Sequence, residues 1–224
     1  MPVIDSMLNP GGDEFKTNSE HMLKLVNEFR TIEQAVMDTE AKAKPKFDKR
    51  DQLLPRERIN RLLDPGSPFL ELMSLAGFMM HDDRDGSSAG GGVIAGIGYV
   101  EGIRCMVVAN NSAVKGGTIS PAGLHKSLRL QEIVAQNKLP TVTLSESGGA
   151  NLNYASEIFV AGARTFANQA RLSAAGIPQI TVVHGNATAG DHLPVERIVR
   201  ACKSHPGIDQ DTARHAADGH AGRF

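Results

Sequence analysis

The sequence predicts an α/β fold, in which crossover helices connect the strands of one sheet. Short apolar segments rich in Val and Ile alternate with longer segments of helical periodicity from about residue 90 onwards. Turns of small residues also follow two apolar segments, at SGGA (147–150) and at HGNATAG (184–190). In open α/β sheets, ligands bind beyond the carboxyl ends of the strands, so these two turns predict a shared cleft.

The residues before the alternating part predict helices. From Asn18 to Lys42, apolar residues recur at helical spacing: Met22, Leu25, Val26, Phe29, Ile32 and Val36. Pro45 breaks this pattern, and the polar segment AKAKPKFDKRDQ predicts an exposed connection. The segment LLPRERINRLLDPGSPF then predicts a short helix that ends at Pro65 and Gly66.

The central part contains the alternating elements. GGGVIAGIGYV and IRCMVVANN predict two strands joined by a turn at Glu101 and Gly102. A helix is predicted from Pro121 to Asn137, followed by the short buried strand PTVTLSE. A second helix is predicted from Ser156 to Ala175, and GIPQITVVHG predicts a further strand. The candidate inward positions of the second helix are Phe159, Phe166, Ala170 and Ser173.

Composition and charge argue against several classes of function. The formal net charge is −1 at pH 7, which does not favour a nucleic-acid-binding surface over the whole chain. Cys105 and Cys202 lack metal-ligand spacing, so we expect neither a disulfide framework nor a metal site. No apolar run approaches the roughly 18 residues that cross a membrane, and the N-terminus has no signal-peptide pattern. These features predict a cytoplasmic protein without a membrane or nucleic-acid partner.

Two adjacent glycines, Gly148 and Gly149, follow the strand PTVTLSE directly. Glycine at such a position indicates an unusual turn or a close backbone approach. Backbone N–H groups at a turn before a helix can point at one oxygen and stabilise a negative charge on it. A plain strand-to-helix turn explains the same residues, so the motif alone leaves both interpretations open.

Other motifs also have two explanations. GGGVIAGIG lacks the spacing of a dinucleotide-binding loop, and a tightly packed strand explains its glycines better. Lys115, Lys126 and Arg129 flank a predicted helix start, where they either bind phosphate or form a solvated surface. His184 follows an apolar strand and is either a general base or, more commonly, a structural residue.

Several long segments, in this order, resemble one family. They are KRDQLLPRERINRLLDPGSPFLEL, AGGGVIAGIGYVEG, VVANNSAVKGGTISP, KSLRLQEIVAQNKLP, ESGGANL and ANQARLSAAGIPQITVVHGNATAG. From roughly residue 15 to residue 190, the chain resembles the amino-terminal half of the carboxyltransferase (β) subunit of biotin-dependent acyl-CoA carboxylases. SGGANL and ANQARLSAAGIPQ are most similar to the methylcrotonoyl-CoA and geranyl-CoA carboxylase branch, whereas the propionyl-CoA branch carries SGGAR.

The resemblance implies a crotonase-like ββα superhelix, here as a single truncated domain with an N-terminal helical extension. It divides the chain into a helical segment and linker (1–50), an acyl-CoA-binding domain (51–190) and an atypical tail (191–224). It also implies an acyl-CoA substrate, carboxybiotin carried by a partner α subunit, and a homo-oligomer of β subunits. In this family carboxybiotin delivers CO2 and a base, so no side-chain base is required.

The resemblance assigns roles to particular residues. Gly148, Gly149 and Ala150 form an oxyanion hole, either for the substrate thioester or for the ureido oxygen of biotin. The turn from Gly185 to Gly190 lines the CoA thioester channel. Together with the basic residues, the expected substrate-binding set is Lys115, Gly116, Gly117, Lys126, Arg129, Gly185, Thr188, Ala189 and Gly190.

The chain departs from the family after TAG, where the family continues with Gly-Ala-Tyr and this sequence with DHLPVERIV. We therefore expect residues 191–224 to arise from a shifted reading frame or a wrong gene model, and the chain alone to be inactive. Two other functions remain open at this point. One is a crotonase-like hydratase or hydrolase that uses Glu146 or Glu157, and the other is a non-catalytic paralogue that binds acyl-CoA.

Overall fold

The computed structural model describes residues 6–81 and 83–186. The described residues do not include Thr188, Ala189, Gly190 or the expected tail at 191–224. The roles predicted for these residues therefore stay predictions. The helices are α1 (Asp13–Ala41), α2 (Lys44–Asp48), α3 (Pro55–Leu62), α4 (Pro121–Asn137) and α5 (Ala155–Ala174). The strands are β1 (Leu70–Glu71), β2 (Val93–Val100), β3 (Ile103–Asn110), β4 (Thr141–Ser145) and β5 (Gln179–Val183).

The strands form one sheet in the order β1-β2-β3-β4-β5. β1, β2 and β3 pair antiparallel, whereas β3, β4 and β5 pair parallel. Helix α4 connects β3 to β4, and α5 connects β4 to β5, so both crossovers are helical. The predicted α/β architecture is therefore confirmed, and its unit is two antiparallel strands followed by a helix.

The β2–β3 hairpin has the two-residue turn that its sequence predicts. Glu101 and Gly102 both have positive φ, 51° and 73°, as in a type I′ turn that matches the twist of the strands. The carboxylate of Asp64 accepts hydrogen bonds from both turn N–H groups, at 2.7 and 2.8 Å. Asp64 follows α3, so this contact also attaches α3 to the sheet.

Apolar side chains fill both faces of the sheet. One cluster joins Ile59 and Leu63 to Cys105, Val107 and Leu144. The cluster on the opposite face includes side chains from α4, α5 and the sheet: Met106, Leu130, Val134, Leu172 and Ile177. Because successive strand residues point to opposite faces, Met106 and Val107 belong to different clusters. The sheet thus lies between the short helix α3 and the pair α4–α5.

The predicted inward face of α5 is wrong. In α5 the buried residues are Ile158 and Leu172, whereas Phe159 and Phe166 are 59% and 47% exposed. Ala170 and Ser173 are exposed as well. Apolar residues surround most of α5, so their spacing does not reveal which face meets the sheet.

The first glycines of GGGVIAGIGYV form a turn rather than the start of a strand, which corrects the prediction. Gly90, Gly91 and Gly92 have φ of 95°, 68° and 75°, and β2 begins only at Val93. A Cβ on Gly91 would lie 2.6 Å from the Cα of Gly123 in α4. Two backbones therefore touch here, and only glycine leaves room for both.

Candidate active site

The candidate site consists of two neighbouring turns at the carboxyl ends of parallel strands. The first is the 3₁₀ turn Lys115–Gly117, which follows β3, and the second is Gly148–Ala150, which follows β4. The N–H of Gly148 donates to the carbonyl of Gly116 at 3.2 Å. Further along, the N–H of Ile119 donates to the carbonyl of Gly149 at 2.8 Å. The two turns are thus hydrogen-bonded side by side.

Glycine makes this close approach possible. Lys115, Gly116 and Gly117 have φ of 48°, 66° and 69°, a left-handed run that strains the lysine. A Cβ on Gly117 would lie 2.7 Å from the carbonyl oxygen of Glu146. Gly149 also has a positive φ, 85°. Backbone geometry therefore favours glycine at Gly116, Gly117 and Gly149.

Only some of the N–H groups in these turns are free. The N–H of Gly148 donates to the carbonyl of Gly116, and the N–H of Gly149 donates to Ser147 Oγ at 3.0 Å. Among the residues that the structure describes, the N–H groups of Gly116 and Ala150 donate no hydrogen bond. Of the three residues predicted to form the oxyanion hole, Ala150 thus retains a free donor, and Gly116 on the adjoining turn adds another.

Two cavities adjoin the turns. A pocket of about 260 Å³ is lined by Lys115 and Thr118 of the first turn and by His81, Asn151 and Tyr154. A second, more apolar groove of about 340 Å³ lies between α4, α5 and the sheet. Its wall includes Gly149, Ala150, Gly162 and the half-exposed Phe159 and Phe166. Ala150, whose N–H is free, is therefore one of the residues that line the apolar groove.

A polar cluster lies directly behind the turns, around Glu146. Arg58 Nη1 donates to Glu146 Oε2 at 2.6 Å, and Ser112 Oγ donates to the same oxygen at 2.8 Å. His184 Nδ1 lies 3.9 Å from that oxygen, and its Nε2 lies 3.4 Å from Arg58 Nη1. The side chains of Arg58 and Glu146 are only 14% and 15% exposed.

The cluster sets the charge state of its members. Burial raises the pKa of Glu146, but the hydrogen bonds from Arg58 and Ser112 outweigh it and leave the pKa below its ordinary value. Burial, and then the charge of Arg58, lower the pKa of His184. Glu146 is therefore an ionised, weakly basic carboxylate at neutral pH, and His184 is neutral. The lowered pKa and the contact with Arg58 make Glu146 a weak base, which does not favour the hydratase or hydrolase considered above.

The basic residues predicted to bind phosphate lie in different environments. Lys115 is exposed at the first turn and makes no ion pair with the described residues. Arg129 is exposed on α4 and pairs with Glu132 at 2.9 Å. Lys126 is 2% exposed, and its Nζ donates to the carbonyls of Val93 and Gly90 at 2.6 and 3.3 Å. In this structure Lys126 faces the interior, so its geometry does not match the predicted phosphate contact.

Gly185 lies against the polar cluster. A Cβ at this position would come within 2.6 Å of Glu146 Cγ, so glycine leaves the space that the carboxylate side chain fills. Sequence reasoning singled out Gly185 and Glu146 but missed Arg58 and Ser112. No local pattern marks Arg58, because the residue that it contacts lies 88 positions along the chain.

Searches of the described residues give two negative results. No group of three or more His, Cys, Asp or Glu side chains in residues 6–81 and 83–186 could hold a metal ion. None of the helices in those ranges has the length and apolar character needed to cross a bilayer.

A family comparison identifies the chain. Residues 46–195 match the model of the carboxyl transferase domain, which is about two thirds of the chain. The chain belongs to the carboxyl transferase domain family. The chain is 44% identical over 192 residues to a probable mitochondrial methylcrotonoyl-CoA carboxylase beta chain of Drosophila melanogaster. That match covers 84% of the chain and 33% of the relative.

Further similarities agree with this assignment. A biotin-dependent 3-methylcrotonyl-coenzyme A carboxylase beta1 subunit of Mycobacterium tuberculosis is 45% identical over 174 residues, covering 76% of the chain and 32% of the relative. The crystal structure of the P. aeruginosa geranyl-CoA carboxylase beta subunit is 65% identical, with a TM-score of 0.77. The match covers 85% of this chain and 36% of that subunit. The chain thus spans about a third of the length of the relatives that it matches.

A more distant structure supports the fold alone. The transcarboxylase 12S structure with methylmalonyl-coenzyme A bound is 24% identical and has a TM-score of 0.63, covering 76% of the chain and 34% of that protein. Together with the closer match, this likeness confirms the predicted crotonase-like fold.

Proposed function

We propose that this chain supplies the acyl-CoA side of the carboxyltransferase site in a biotin-dependent acyl-CoA carboxylase. The observation that carries the proposal is the pair of free N–H groups, on Gly116 and Ala150, at two turns that are hydrogen-bonded to each other. We infer that both donate to the thioester oxygen of the substrate. Family membership and the 65% identity to a geranyl-CoA carboxylase beta subunit support this function.

The proposed chemistry requires negative charge on the thioester oxygen. Loss of a proton next to the thioester gives an enolate, and two fixed N–H donors stabilise that oxygen more strongly than they stabilise the neutral carbonyl. A single donor of this kind contributes on the order of 3 kcal/mol to transition-state stabilisation. Bound carboxybiotin supplies CO2 and the base for this proton. The chain's own residues need only bind, orient and polarise the acyl-CoA.

Carboxybiotin has a ureido oxygen that also accepts hydrogen bonds from N–H groups. The two free donors therefore fit either this ureido oxygen or the thioester oxygen of the substrate. We assign them to the thioester because Ala150 lines the apolar groove, which suits an acyl chain. The partner α subunit that carries biotin, the β-subunit oligomer and the cytoplasmic location are part of the proposal. The cytoplasmic location differs from that of the Drosophila relative, which is named mitochondrial.

The CoA portion of the substrate is assigned to residues around the two turns. Lys115 is exposed beside Gly116 and Gly117, so its ammonium is available to a phosphate or pyrophosphate. The resemblance assigns Gly185, Thr188, Ala189 and Gly190 to the thioester channel, and Arg129 to the CoA phosphates. Lys126 is left out of this assignment because its ammonium is already bound to two carbonyl oxygens.

We assign the acyl chain to the groove between α4 and α5. Gly162 lines this groove, and a Cβ built on it meets no atom within 4 Å. The space next to Gly162 can therefore hold part of a long branched acyl group, such as geranoyl. A five-carbon methylcrotonoyl group would leave it empty.

Replacement of Gly162 by Phe tests the acyl assignment. The ring fills the groove, so we expect the affinity for geranoyl-CoA to fall by about tenfold or more, at roughly 1.4 kcal/mol per tenfold. The affinity for methylcrotonoyl-CoA should change little. Isothermal titration of the two esters with both proteins measures the difference. Equal losses for the two esters would contradict the assignment.

The oxyanion assignment is tested with a chromophoric ester, 4-(dimethylamino)cinnamoyl-CoA. Donation of two N–H groups to its thioester oxygen draws electron density along the conjugated chain, so the absorption band moves to longer wavelength on binding. We expect this red shift with the intact 224-residue chain. CoA without an acyl group competes for the site and serves as the control. Binding without any red shift would show that the N–H groups do not contact the thioester.

The same experiment tests the crotonase-like hydratase or hydrolase. Hydrolysis or hydration of the ester by the chain alone would favour the crotonase-like hydratase or hydrolase. Against that function, Glu146 is paired with Arg58, and Glu157 is half exposed at 3.6 Å from His81. A red shift without hydrolysis is expected both for the proposed function and for the non-catalytic acyl-CoA-binding paralogue, since this chain alone is expected to be inactive in carboxylation.

A further inference from the structure

Glu146 connects all the segments that build the candidate site. Its backbone N–H donates to Asn110 Oδ1, at the end of β3, at 3.3 Å. Its carbonyl oxygen faces Gly117, where a Cβ would lie only 2.7 Å away. Its side chain packs against Gly185, after β5. One residue therefore touches the segments that follow three adjacent strands, immediately before the turn at Gly148.

The carboxylate of Glu146 is held in one place. Arg58 of α3 and Ser112 of the loop after β3 both donate to Oε2, at 2.6 and 2.8 Å. A charge-assisted hydrogen bond of this length is stronger than a neutral one. The side chain is 15% exposed, so water competes little with these donors. Ser112 also lies in the segment that leads to the first turn, so the carboxylate joins both turns.

We propose that Glu146 and Arg58 are positioning residues, which hold the free N–H groups of Gly116 and Ala150 at the spacing needed to grip one oxygen. This inference rests on the proposed function. The ion pair reaches the first turn through Ser112 and the second through the backbone that continues from Glu146 to Ser147. Neither Arg58 nor Glu146 is among the residues that line the two cavities beside the turns. Misplacement of such donors by a fraction of an ångström weakens charge stabilisation without abolishing binding.

The geometry distinguishes this role from simple structural support. Arg58 anchors on α3, which packs on the sheet through Ile59 and Leu63. The apolar contacts of α3 therefore keep the helix packed on the sheet. The guanidinium of Arg58 adds the ion pair with Glu146. Loss of the connection should loosen the turns more than it unfolds the sheet.

The test compares variants of the intact chain. Arg58→Met removes the donor, and Glu146→Gln keeps the shape of the acceptor without its charge. The double variant Arg58→Met/Glu146→Met removes both charges, so that no unpaired buried charge is left to unfold the protein. Arg61→Met is the matched control, since Arg61 lies on the same helix and is exposed. Arg58→Lys tests for partial rescue, because lysine restores the charge but not the guanidinium geometry.

Two measurements are made on each variant. The first is the red shift of bound 4-(dimethylamino)cinnamoyl-CoA at saturation, together with its Kd. We expect the red shift to fall below half of the wild-type value in Arg58→Met and in the double variant, while Kd changes by less than about fivefold. The second is hydrogen exchange of residues 146–151 without ligand, which we expect to accelerate by roughly tenfold or more. Arg61→Met should match the wild type in both.

The outcomes separate this inference from the proposed function. A full red shift in the double variant, with unchanged exchange at residues 146–151, overturns the positioning role and leaves the proposed function intact. A wild-type chain that binds the ester without a red shift refutes the oxyanion assignment instead. In that case unchanged exchange in Arg58→Met would overturn the positioning role as well, since the exchange measurement needs no ligand.

Discussion

Lys126 carries a charge in the interior of the molecule, where a charge is costly. Its side chain is 2% exposed and donates to two carbonyl oxygens, those of Gly90 and Val93. Burial lowers the pKa of the ammonium to about 8, while the charge of Glu71 opposes that shift. Protonation of this one side chain therefore affects how α4 packs against the turn at Gly90, Gly91 and Gly92.

Stability should depend on pH through Lys126. Its pKa is about 8 in the folded chain and 10.5 in the unfolded one, so the unfolded chain binds more protons between these values. Stability therefore rises with pH across this window. We expect the wild type to gain up to roughly 3 kcal/mol relative to Lys126→Met between pH 7.5 and 10. Urea unfolding of both proteins measures this difference, and parallel pH profiles would contradict the prediction.

At this scale the sequence indicates backbone features better than side-chain contacts. Gly148 and Gly149 mark a special turn, because glycine adopts a positive φ without strain and leaves room for a close approach, and the structure has both. The contact between Arg58 and Glu146 joins residues 88 positions apart, so no local pattern predicts it. The burial of Lys126 is equally invisible, since lysine is normally an exposed residue.

Helices α4 and α5 each contain one glycine, for opposite reasons. In α4, a Cβ on Gly123 would lie 2.1 Å from the carbonyl oxygen of Gly91. In α5, a Cβ on Gly162 meets no atom within 4 Å. The first glycine is needed for helix-to-turn packing, whereas the second leaves the helix less stable and the groove open.

Alanine should therefore change stability in opposite directions at the two positions. We expect Gly162→Ala to stabilise the chain by about 1 kcal/mol, which is the usual gain in a helix interior. Gly123→Ala should destabilise it by at least about 2 kcal/mol, because the methyl group overlaps a backbone oxygen. Thermal or urea unfolding of the two variants provides the comparison. Stabilisation by both substitutions would show that α4 and the glycine turn are not in contact.

The boundaries of helices and strands could be predicted at residues with a strong conformational preference. Pro121 at the start of α4 and the positive-φ pair at Glu101–Gly102 lie where the sequence places a helix start and a hairpin turn. The burial of α5 was not predictable from spacing, since Phe159 and Phe166 are apolar yet largely exposed. Which face a helix buries depends on the partner, and that information comes from the tertiary structure.

At the scale of the described molecule, residues 6–81 and 83–186, helix α1 has the smallest buried fraction of the five helices. Of its 29 residues only Val36 and Glu40 are buried, and both lie near its C-terminal end. There Glu40 contacts Arg56, which also binds Glu71. Towards the N-terminus, Met22 and Leu25 are 59% and 46% exposed. The helix thus has an anchored end and an unsupported end.

Hydrogen exchange should reveal this difference. We expect amides of residues 17–31 to exchange at least roughly 100-fold faster than those in the interior of α4, because the former open by local unfolding. Helix α4 is the internal control, as Leu124, Leu128, Leu130 and Val134 hold it against the core. Similar protection of the two helices would contradict this view and would indicate that another surface covers α1 in solution.

The order of the sheet has a consequence for synthesis on the ribosome. Each strand pairs with the strand that precedes it in the chain, from β1 to β5. A nascent chain can therefore form the β2–β3 hairpin first and then add β4 and β5 one at a time, without waiting for a distant partner. Loop-closure entropy stays low at every step. The same sequential pairing keeps the newest strand at the edge, where the next segment to emerge meets a ready template.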